Sequence, residues 1–314
     1  MDIRKLKYFV TIYESGSFSR AAQRLYISQP SLSQQISLLE SDLKVQLLLR
    51  SSHGVSPTPS GEALYLHAKK ILRQLDKIRE EVSPCAMEHQ VTGQVSIGLP
   101  TTVAAMISLQ LFERIQKNHP RIHLRIFEGM SGNISEMLSN GKLDVAMLFR
   151  HSPVRGMTTI PLLYERLYLI GGNNIHKGNV SIKKVGGTPL VVPSPPSGLR
   201  TLIDKAFNDA DIEPNIIADI DSMSTLVAIA KAGYASTILP LSVVQEYSGL
   251  DTLAVTPISN GELLRPISVC WSHAIPISAA SLVLRNELLS LINSLVDKEV
   301  WQGVSFIQGY DREI

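Results

Sequence analysis

The feature that most constrains this chain is a pair of short helices separated by a tight turn. The sequence predicts the first helix over residues 17–26, the turn at residues 27–28 and the second helix over residues 29–40. In the second helix, apolar side chains recur at helical spacing and mark one buried face: Leu32, Ile36, Leu39 and Leu43. Ala21 and Ala22 are small where the two helices must cross closely. The run therefore predicts a helix-turn-helix.

The opposite face of the second helix has an unusual composition. Its side chains are small, uncharged and mostly hydrogen-bonding, namely Pro30, Ser31, Ser33, Gln34 and Ser37. A face exposed only to solvent usually carries Lys and Glu, whereas Ser and Gln can reach base edges in a DNA major groove. This composition predicts a recognition helix. The alternative is a small helical bundle whose polar face is merely solvated.

The flanking segments complete a winged domain. Upstream, an apolar stripe predicts a further helix that closes the core, and it consists of Leu6, Phe9, Val10 and Tyr13. Downstream, residues 46–50 and 54–57 predict two short strands around a turn, which form a wing and place Arg50 next to phosphate. We therefore expect DNA contacts from Arg20, Gln29, Pro30, Ser31, Ser33, Gln34, Arg50 and His53.

A long amphipathic helix is predicted from Thr58 to Val82, where Ser83 and Pro84 end it. Its apolar residues alternate between spacings of four and three, which is typical of a coiled-coil seam: Leu64, Ala68, Ile71, Leu75 and Ile78. A module that reads a two-fold symmetric site needs a second copy, so we expect these residues to form a dimer interface. The alternative is a single amphipathic helix packed on its own domain.

The N-terminal region resembles LysR-type transcriptional regulators. The resemblance covers residues 3–72 and rests on Phe9, Gly16, Ser17, Ala21, Ala22, Leu25, Gln29, Pro30, Ser33, Ile36, Leu39, Glu40, Leu43, Leu48, Arg50, Pro57, Thr58 and Gly61. Three segments, RKLKYFV, GVSPTPSGEALYLHAKKILRQ and GQVSIGL, also resemble the nitrogen assimilation control subgroup. The resemblance implies a cytoplasmic regulator that binds double-stranded DNA as a homodimer or homotetramer and acts with RNA polymerase.

Beyond residue 94, predicted strands alternate with predicted helices, so the fold class is α/β with parallel sheets. The resemblance implies two α/β subdomains of the periplasmic-binding-protein type, with crossovers near residues 161–165 and 264–267. We expect a winged helix-turn-helix domain at 1–58, a linker helix and hinge at 59–88, and a regulatory domain at 89–314. Within the regulatory domain, we assign residues 89–163 and 266–300 to subdomain I and residues 164–265 to subdomain II.

Three turns between a strand and a helix predict an effector site. In open α/β sheets, ligands lie beyond the carboxyl ends of strands, where helix N-termini offer N–H groups to an anion. The resemblance places Thr101, Thr102, Ser131 and Ser194 in this region. We expect no carboxylate near the first two turns. A small anion such as a carboxylate is the expected ligand. The alternatives are that these hydroxyls only cap helices, or that the regulator works without an effector.

Composition and missing motifs exclude other classes. The net charge of +2 is too small to identify nucleic acid as a partner by itself. Cys85 and Cys270 make neither a disulfide framework nor a zinc set, so no cofactor or metal is expected. The sequence lacks the usual hydrolase, metalloprotease and nucleotide-binding motifs, so no enzymatic activity is expected. A solute-binding protein without a DNA role would leave residues 1–60 unexplained and would need an export signal.

A membrane location is not expected either. The chain starts with a charged segment that leads into an amphipathic helix, and no signal peptide is expected. No apolar run in the sequence approaches the roughly 18 residues of a membrane helix.

Overall fold

The computed structural model describes residues 1–51, 54–82, 91–172, 178–195, 197–247, 253–259, 263–274 and 276–310. His53 and residues 83–88 of the predicted linker and hinge, which include Cys85, lie outside these ranges. The described chain divides into two compact units, Met1–His89 with His273–Ala279, and Gln90–Ser272 with Ala280–Ile314.

The first unit contains the predicted helices and wing. In chain order its elements are α1 (Ile3–Ser15), α2 (Phe18–Leu25), α3 (Gln29–Leu43), β1 (Leu48–Ser51), β2 (Gly54–Pro57) and α4 (Pro59–Val82). The helix-turn-helix prediction is thus confirmed at α2 and α3, although α3 continues beyond the predicted end at residue 40. Strands β1 and β2 pair antiparallel, as expected for a wing.

Local sequence signals explain where these helices start. Asp2, Ser17 and Ser28 are N-caps whose side-chain oxygens accept backbone N–H groups three residues further on. Gly61 allows α4 to start close to β1, because a Cβ at this position would lie 2.1 Å from the Leu47 carbonyl oxygen.

The core of the first unit lies between the apolar faces of these helices. Phe9 and Ile12 of α1 are buried with Leu32, Ile36 and Leu39 of α3, which confirms the apolar stripe predicted for α3. Tyr65 of α4 belongs to the same cluster. The start of α4 is therefore part of this core.

The second unit alternates strands and helices. Its elements are β3 (Gly93–Pro100), α5 (Thr101–Asn118), β4 (Ile122–Gly129), α6 (Ser131–Ser139), β5 (Val145–Leu148), β6 (Met157–Gly171), β7 (Val180–Ser181), α7 (Ile182–Gly186), β8 (Leu190–Val192), α8 (Gly198–Asp209), β9 (Ile216–Asp219), α9 (Met223–Lys231), β10 (Thr237–Pro240), α10 (Leu241–Tyr247), β11 (Ala254–Ser259), β12 (Leu264–Ser272), α11 (Ala279–Asp297) and β13 (Val304–Phe306).

The large sheet has the strand order β4-β3-β5-β12-β6-β11-β7, and β10 and β13 also pair with β6. Strands β3, β4 and β5 are parallel, as are β8 and β9 in a separate small sheet. The expected parallel sheets are thus confirmed for these strands. The expectation of parallel pairing is wrong for three other predicted strands: β12 runs antiparallel to β5 and β6, and β10 runs antiparallel to β6.

Among the described residues, the second unit has three hydrophobic clusters, and the two larger ones lie on either side of the middle of β6. The first includes Leu163 with residues of β3, α5 and α11, and the second includes Leu167 with residues of α8, α9 and β10. This division supports the assignment of two subdomains, which we call subdomain I and subdomain II. Subdomain I extends past residue 300, because Trp301 is buried in its core and β13 pairs with β6.

The passage between the subdomains lies at both predicted crossovers, since Leu163 and Ile267 belong to the first core and Leu167 and Leu263 to the second. Strands β6 and β12 run antiparallel through both predicted crossovers, with Glu165 paired in register with Arg265. Pairing satisfies the backbone N–H and C=O groups of two chain segments that would otherwise be buried without partners. The sequence did not predict residues 157–166 of β6, nor β7, β9, β11 and β13.

Helix α11 corrects the expectation that no segment has the length and composition of a membrane span. It is long and apolar enough to cross a membrane by those criteria alone. The helix also carries buried residues of the subdomain I core, including Leu284, Leu288 and Ile292. Core helices of globular proteins pass the same test, so this is weak evidence for a span.

Candidate nucleic-acid interface and effector site

The polar face of α3 lies at the surface of the first unit. Gln29, Pro30, Ser31 and Gln34 are exposed and Ser33 is half-buried, whereas Leu32 on the other face is fully buried. Pro30 lies in the first turn, where its missing N–H has no helical partner to lose. The helix therefore presents an uncharged, hydrogen-bonding surface.

Arg50 of the wing bonds to α3. Its Nη1 donates to Ser33 Oγ at 2.9 Å, and its guanidinium carbon lies 4.4 Å from the centre of the Phe18 ring. The Val55 N–H donates to the Gly16 carbonyl at 3.0 Å, which ties the wing to the turn before α2. Two of the predicted DNA-contacting residues, Arg50 and Ser33, are thus direct neighbours.

Two other predicted residues also bond within the unit. The Arg20 side chain is exposed, and its Nη2 donates to the Ser15 carbonyl at 2.6 Å. The Gln29 side-chain oxygen accepts from Ser19 Oγ at 3.0 Å. Ser19 was missed by the sequence analysis, although its position near the start of α2 could have indicated a surface shared with α3.

The predicted seam on α4 is wrong at Ala68. Ala68 is fully buried within the single chain and leaves no surface for a partner. Leu64 packs against the core of its own unit. The alternative of packing on its own domain therefore holds for Ala68, whereas Leu64 is half-buried and stays a predicted dimer contact.

The rest of the seam is more accessible. Ile71 and Ile78 are 41% and 51% exposed, and Leu75 is half-buried. Large apolar side chains at this exposure are compatible with a partner helix. These three residues, together with Leu64, remain the predicted dimer contacts.

Polar contacts between α1 and α4 were not predicted. Tyr13 donates to Glu62 at 2.5 Å, Tyr65 donates to Glu14 at 3.0 Å, and the two tyrosine rings stack with centres 3.9 Å apart. Burial, together with the Glu62 carboxylate, raises the pKa of the Tyr13 hydroxyl well above its ordinary value. The contacts fix the start of α4 on α1. Tyr13 and Tyr65 lie 52 positions apart, so no local pattern could have paired them.

The predicted effector residues occupy the expected helix starts in subdomain I. Thr101 and Thr102 open α5, and Ser131 opens α6. The N-cap residues are Pro100 and Met130, and neither helix has a side-chain cap. The alternative in which these hydroxyls merely cap helices is therefore wrong for Thr101, Thr102 and Ser131.

Thr102 is already bonded to a cation. Its hydroxyl is buried and accepts from Arg265 Nη2 at 2.7 Å. The Arg265 guanidinium carbon lies 3.8 Å from the centre of the Phe149 ring. The Phe149 N–H in turn donates to Ser131 Oγ at 3.4 Å, so Phe149 links Ser131 to the surroundings of Thr102.

A carboxylate lies beside this cation. Glu165 Oε2 accepts from Arg265 Nε at 2.7 Å and lies 2.6 Å from Arg265 Nη2. Glu165 Oε1 accepts from Ser242 Oγ at 3.1 Å. The expectation that no carboxylate lies near Thr102 was wrong. Glu165 lies there because its strand, β6, pairs with β12, which carries Arg265.

Ser194 lies in a separate loop of subdomain II. Its N–H donates to an Asp221 carboxylate oxygen at 3.1 Å, and so already bonds to an anionic group. Arg200, in the helix that follows, is held by Asp204 and Asp219. Among the described residues, no cluster of three or more His, Cys, Asp or Glu side chains could hold a metal ion.

Comparisons with known proteins agree with this architecture. Residues 3–62 match the bacterial regulatory helix-turn-helix protein, lysR family, and residues 88–292 match the LysR substrate binding domain. The nitrogen assimilation regulatory protein nac of Escherichia coli (strain K12) is 34% identical over 97% of this chain and 100% of that protein. The protein of the same description from Klebsiella aerogenes is 35% identical over 96% of this chain and 99% of its own.

Solved structures share the fold. Full-length OxyR from Pseudomonas aeruginosa has a TM-score of 0.77 at 24% identity and covers 92% of this chain and 94% of its own. Full-length CbnR in complex with its target DNA has a TM-score of 0.61 at 23% identity and covers 94% of this chain and 99% of its own.

A winged helix-turn-helix, a long linker helix and two α/β subdomains define a DNA-binding transcription regulator. The chain belongs to the LysR family, whose regulators bind DNA and form oligomers. Within that family it is similar to the nitrogen assimilation regulators.

Proposed function

We propose that this regulator controls promoters of nitrogen-metabolism genes, which it recognises through the polar face of α3. The observation that carries the proposal is the exposed, uncharged face of α3, joined to the wing by the Arg50–Ser33 hydrogen bond. The nitrogen pathway is supported by the similarity to the nac regulators. In this proposal the chain is cytoplasmic, has no catalytic activity and acts on RNA polymerase at its promoters.

The proposed DNA contacts divide by chemistry. Gln34 and Ser31 are exposed near the start of α3 and suit hydrogen bonds to base edges. Arg20, Arg50 and His53 suit phosphate oxygens, which position a protein on DNA without reading its sequence. The proposed dimer contacts are Leu64, Ile71, Leu75 and Ile78.

Selection of binding sites from random duplex DNA with the purified chain tests the proposal. We expect an enriched site with two-fold symmetry that occurs upstream of nitrogen-assimilation genes when bound DNA is mapped in cells. An enriched site without symmetry would reject the dimeric arrangement, and no enrichment at all would reject sequence-specific recognition.

Two proposals concern the signal that controls the regulator. A small anionic effector at Thr101, Thr102 and Ser131 is supported by helix starts that lack side-chain caps. An effector-independent regulator, whose activity is set by its abundance, is favoured by the guanidinium of Arg265 on the Thr102 hydroxyl and by Glu165 beside it. At Ser194 the Asp221 carboxylate disfavours an anion.

Calorimetry on the full chain separates these proposals. The titrants are small carboxylates of central metabolism, sulfate and phosphate. The effector-independent proposal expects no saturable heat and promoter activity that follows protein abundance alone. Saturable binding that changes promoter activity, and that Thr102→Val removes, would reject it and support the anionic effector.

A further inference from the structure

The strands that pass between the subdomains carry opposite charges at one register position. Glu165 of β6 and Arg265 of β12 are directly paired in the antiparallel ladder, and they are 1% and 4% exposed. Charged side chains are rarely buried to this extent unless they are paired. The pair thus lies at the passage from one core to the other.

The partners of the pair come from both subdomains. Arg265 bonds to Thr102 of α5 and lies over Phe149, and both belong to subdomain I. Glu165 bonds to Ser242 of α10, which is fully buried in subdomain II. A continuous chain of hydrogen bonds therefore runs from α5 through the ion pair to α10.

The surroundings of the Glu165 carboxylate match those of a bound carboxylate ligand. Glu165 Oε2 lies 2.7 Å from Arg265 Nε and 2.6 Å from Arg265 Nη2. The other oxygen, Oε1, accepts a hydrogen bond from the Ser242 hydroxyl at 3.1 Å. Charge-assisted hydrogen bonds of this kind are the strongest that proteins offer to carboxylates. The chain thus supplies both the receptor groups and the anion.

We propose that the Glu165 side chain is a resident carboxylate that occupies this receptor and holds the two subdomains together without a ligand. The proposal deepens the effector-independent function and rests on it. A free carboxylate could reach Arg265 only by displacing Glu165, whose backbone is fixed in the β6–β12 ladder. Tethering gives Glu165 a high effective concentration that a dissolved small anion does not match.

Rescue by acetate tests the proposal on the full chain. Glu165→Ala removes the carboxylate, leaves the guanidinium buried without its partner and opens a space for a small anion. We expect its Tm to fall by many degrees and to rise again, saturably, when acetate replaces chloride at constant ionic strength. The wild type, and the double variant Glu165→Ala with Arg265→Met, should show no such response.

A matched control uses a second arginine–carboxylate contact. Asp204→Ala removes one partner of Arg200, which keeps Asp219, so acetate should not change the Tm of this variant. If Glu165→Ala is folded but acetate leaves its Tm unchanged, the proposal is wrong. A wild type whose Tm responds to acetate as strongly as that of the variant would also reject it.

A second variant covers the case in which Glu165→Ala does not fold. Glu165→Gln keeps the shape and removes the charge, and we expect amide hydrogen exchange in the first turn of α5 and in α10 to become at least tenfold faster. Unchanged exchange in both segments would overturn the proposal. A different outcome would separate the two proposals. If acetate rescues Glu165→Ala, but the wild-type regulator still changes promoter activity in response to another ligand, effector independence is rejected and the resident carboxylate stands.

Discussion

At the scale of single residues, the polar face of α3 depends on which side chains are free to bond outward. Ser33 accepts a hydrogen bond from Arg50, whereas Gln34, one position further, is exposed. The sequence predicts both residues as DNA contacts, because both lie opposite the apolar stripe. The structure separates them, since only folding brings a wing residue 17 positions away onto Ser33.

Gln34→Ala should weaken binding to the specific site by about 1–3 kcal/mol, because a bidentate contact to a base is lost. Binding to random DNA should change far less. Competition gel shifts with both duplexes measure the two affinities. Gln23→Ala, at an exposed position on α2, is the matched control and should leave both affinities near the wild-type values. Equal losses on both duplexes for Gln34→Ala would contradict base recognition.

Arg50→Ala should weaken binding to specific and random DNA alike, because a phosphate contact carries no sequence information. The slope of log affinity against log salt should fall by about one. Titrations over a range of salt concentrations measure the slope. Arg121→Ala, at an exposed position in the second unit, should leave it unchanged. An unchanged slope for Arg50→Ala would show that Arg50 serves only to hold Ser33.

At the scale of elements, α4 shows both the reach and the limit of periodicity. The spacing of its apolar residues predicted a long helix, and the structure has that helix over Pro59–Val82. The same spacing could not separate residues that complete the core from residues left exposed, since both follow the same period. Ala68 and Ile71 are three positions apart, yet the first is fully buried and the second 41% exposed.

Ile78→Glu should yield a folded chain with weakened self-association, because this side chain is 51% exposed in the single chain. A charge there would be buried only against a partner helix. Light scattering measures the mass and circular dichroism the helix content. Ala68→Glu is the contrasting variant and should unfold the first unit, since its site is fully buried. An Ile78→Glu variant that keeps the wild-type mass would place the dimer contact elsewhere.

Tyr13→Phe should lower the free energy of unfolding by about 1–3 kcal/mol, because a hydrogen bond to a carboxylate is lost while the stacking on Tyr65 is kept. Urea unfolding followed by circular dichroism measures the loss. Tyr26→Phe is the control: this side chain is 95% exposed, so its variant should match the wild type. Equal midpoints for both variants would show that the Tyr13 hydroxyl does not stabilise the α1–α4 contact.

At the scale of the whole molecule, local patterns predicted many of the helices and strands but not the pairing of strands that are distant in the sequence. Capping residues and helical periods indicated α2 and α3, and the alternation of strands with helices indicated the α/β half. The Arg265–Glu165 pair joins residues 100 positions apart, and its existence depends on the pairing of β6 with β12. Neither strand carries a local signal for its partner, so the content of the predicted effector site could not be derived from the sequence.

Cys270 offers a probe of opening in the second unit. It is fully buried in β12, and burial raises the pKa of its thiol above the ordinary value. The thiolate is the reactive form, so modification needs both exposure and deprotonation. In a Cys85→Ser background at neutral pH, Ellman's reagent should react with Cys270 only at the rate at which β12 becomes exposed by unfolding.

The reaction rate of Cys270 is compared in denaturant and in native buffer with increasing urea. In denaturant the single thiol should react at once, because exposure restores its ordinary pKa. In native buffer the rate should rise steeply with urea, in parallel with the unfolded fraction seen by circular dichroism. Adding Glu165→Gln should speed the native reaction if the ion pair helps keep β6 and β12 closed. Fast modification of the native Cys85→Ser chain, independent of urea, would contradict the buried position of β12 between β5 and β6.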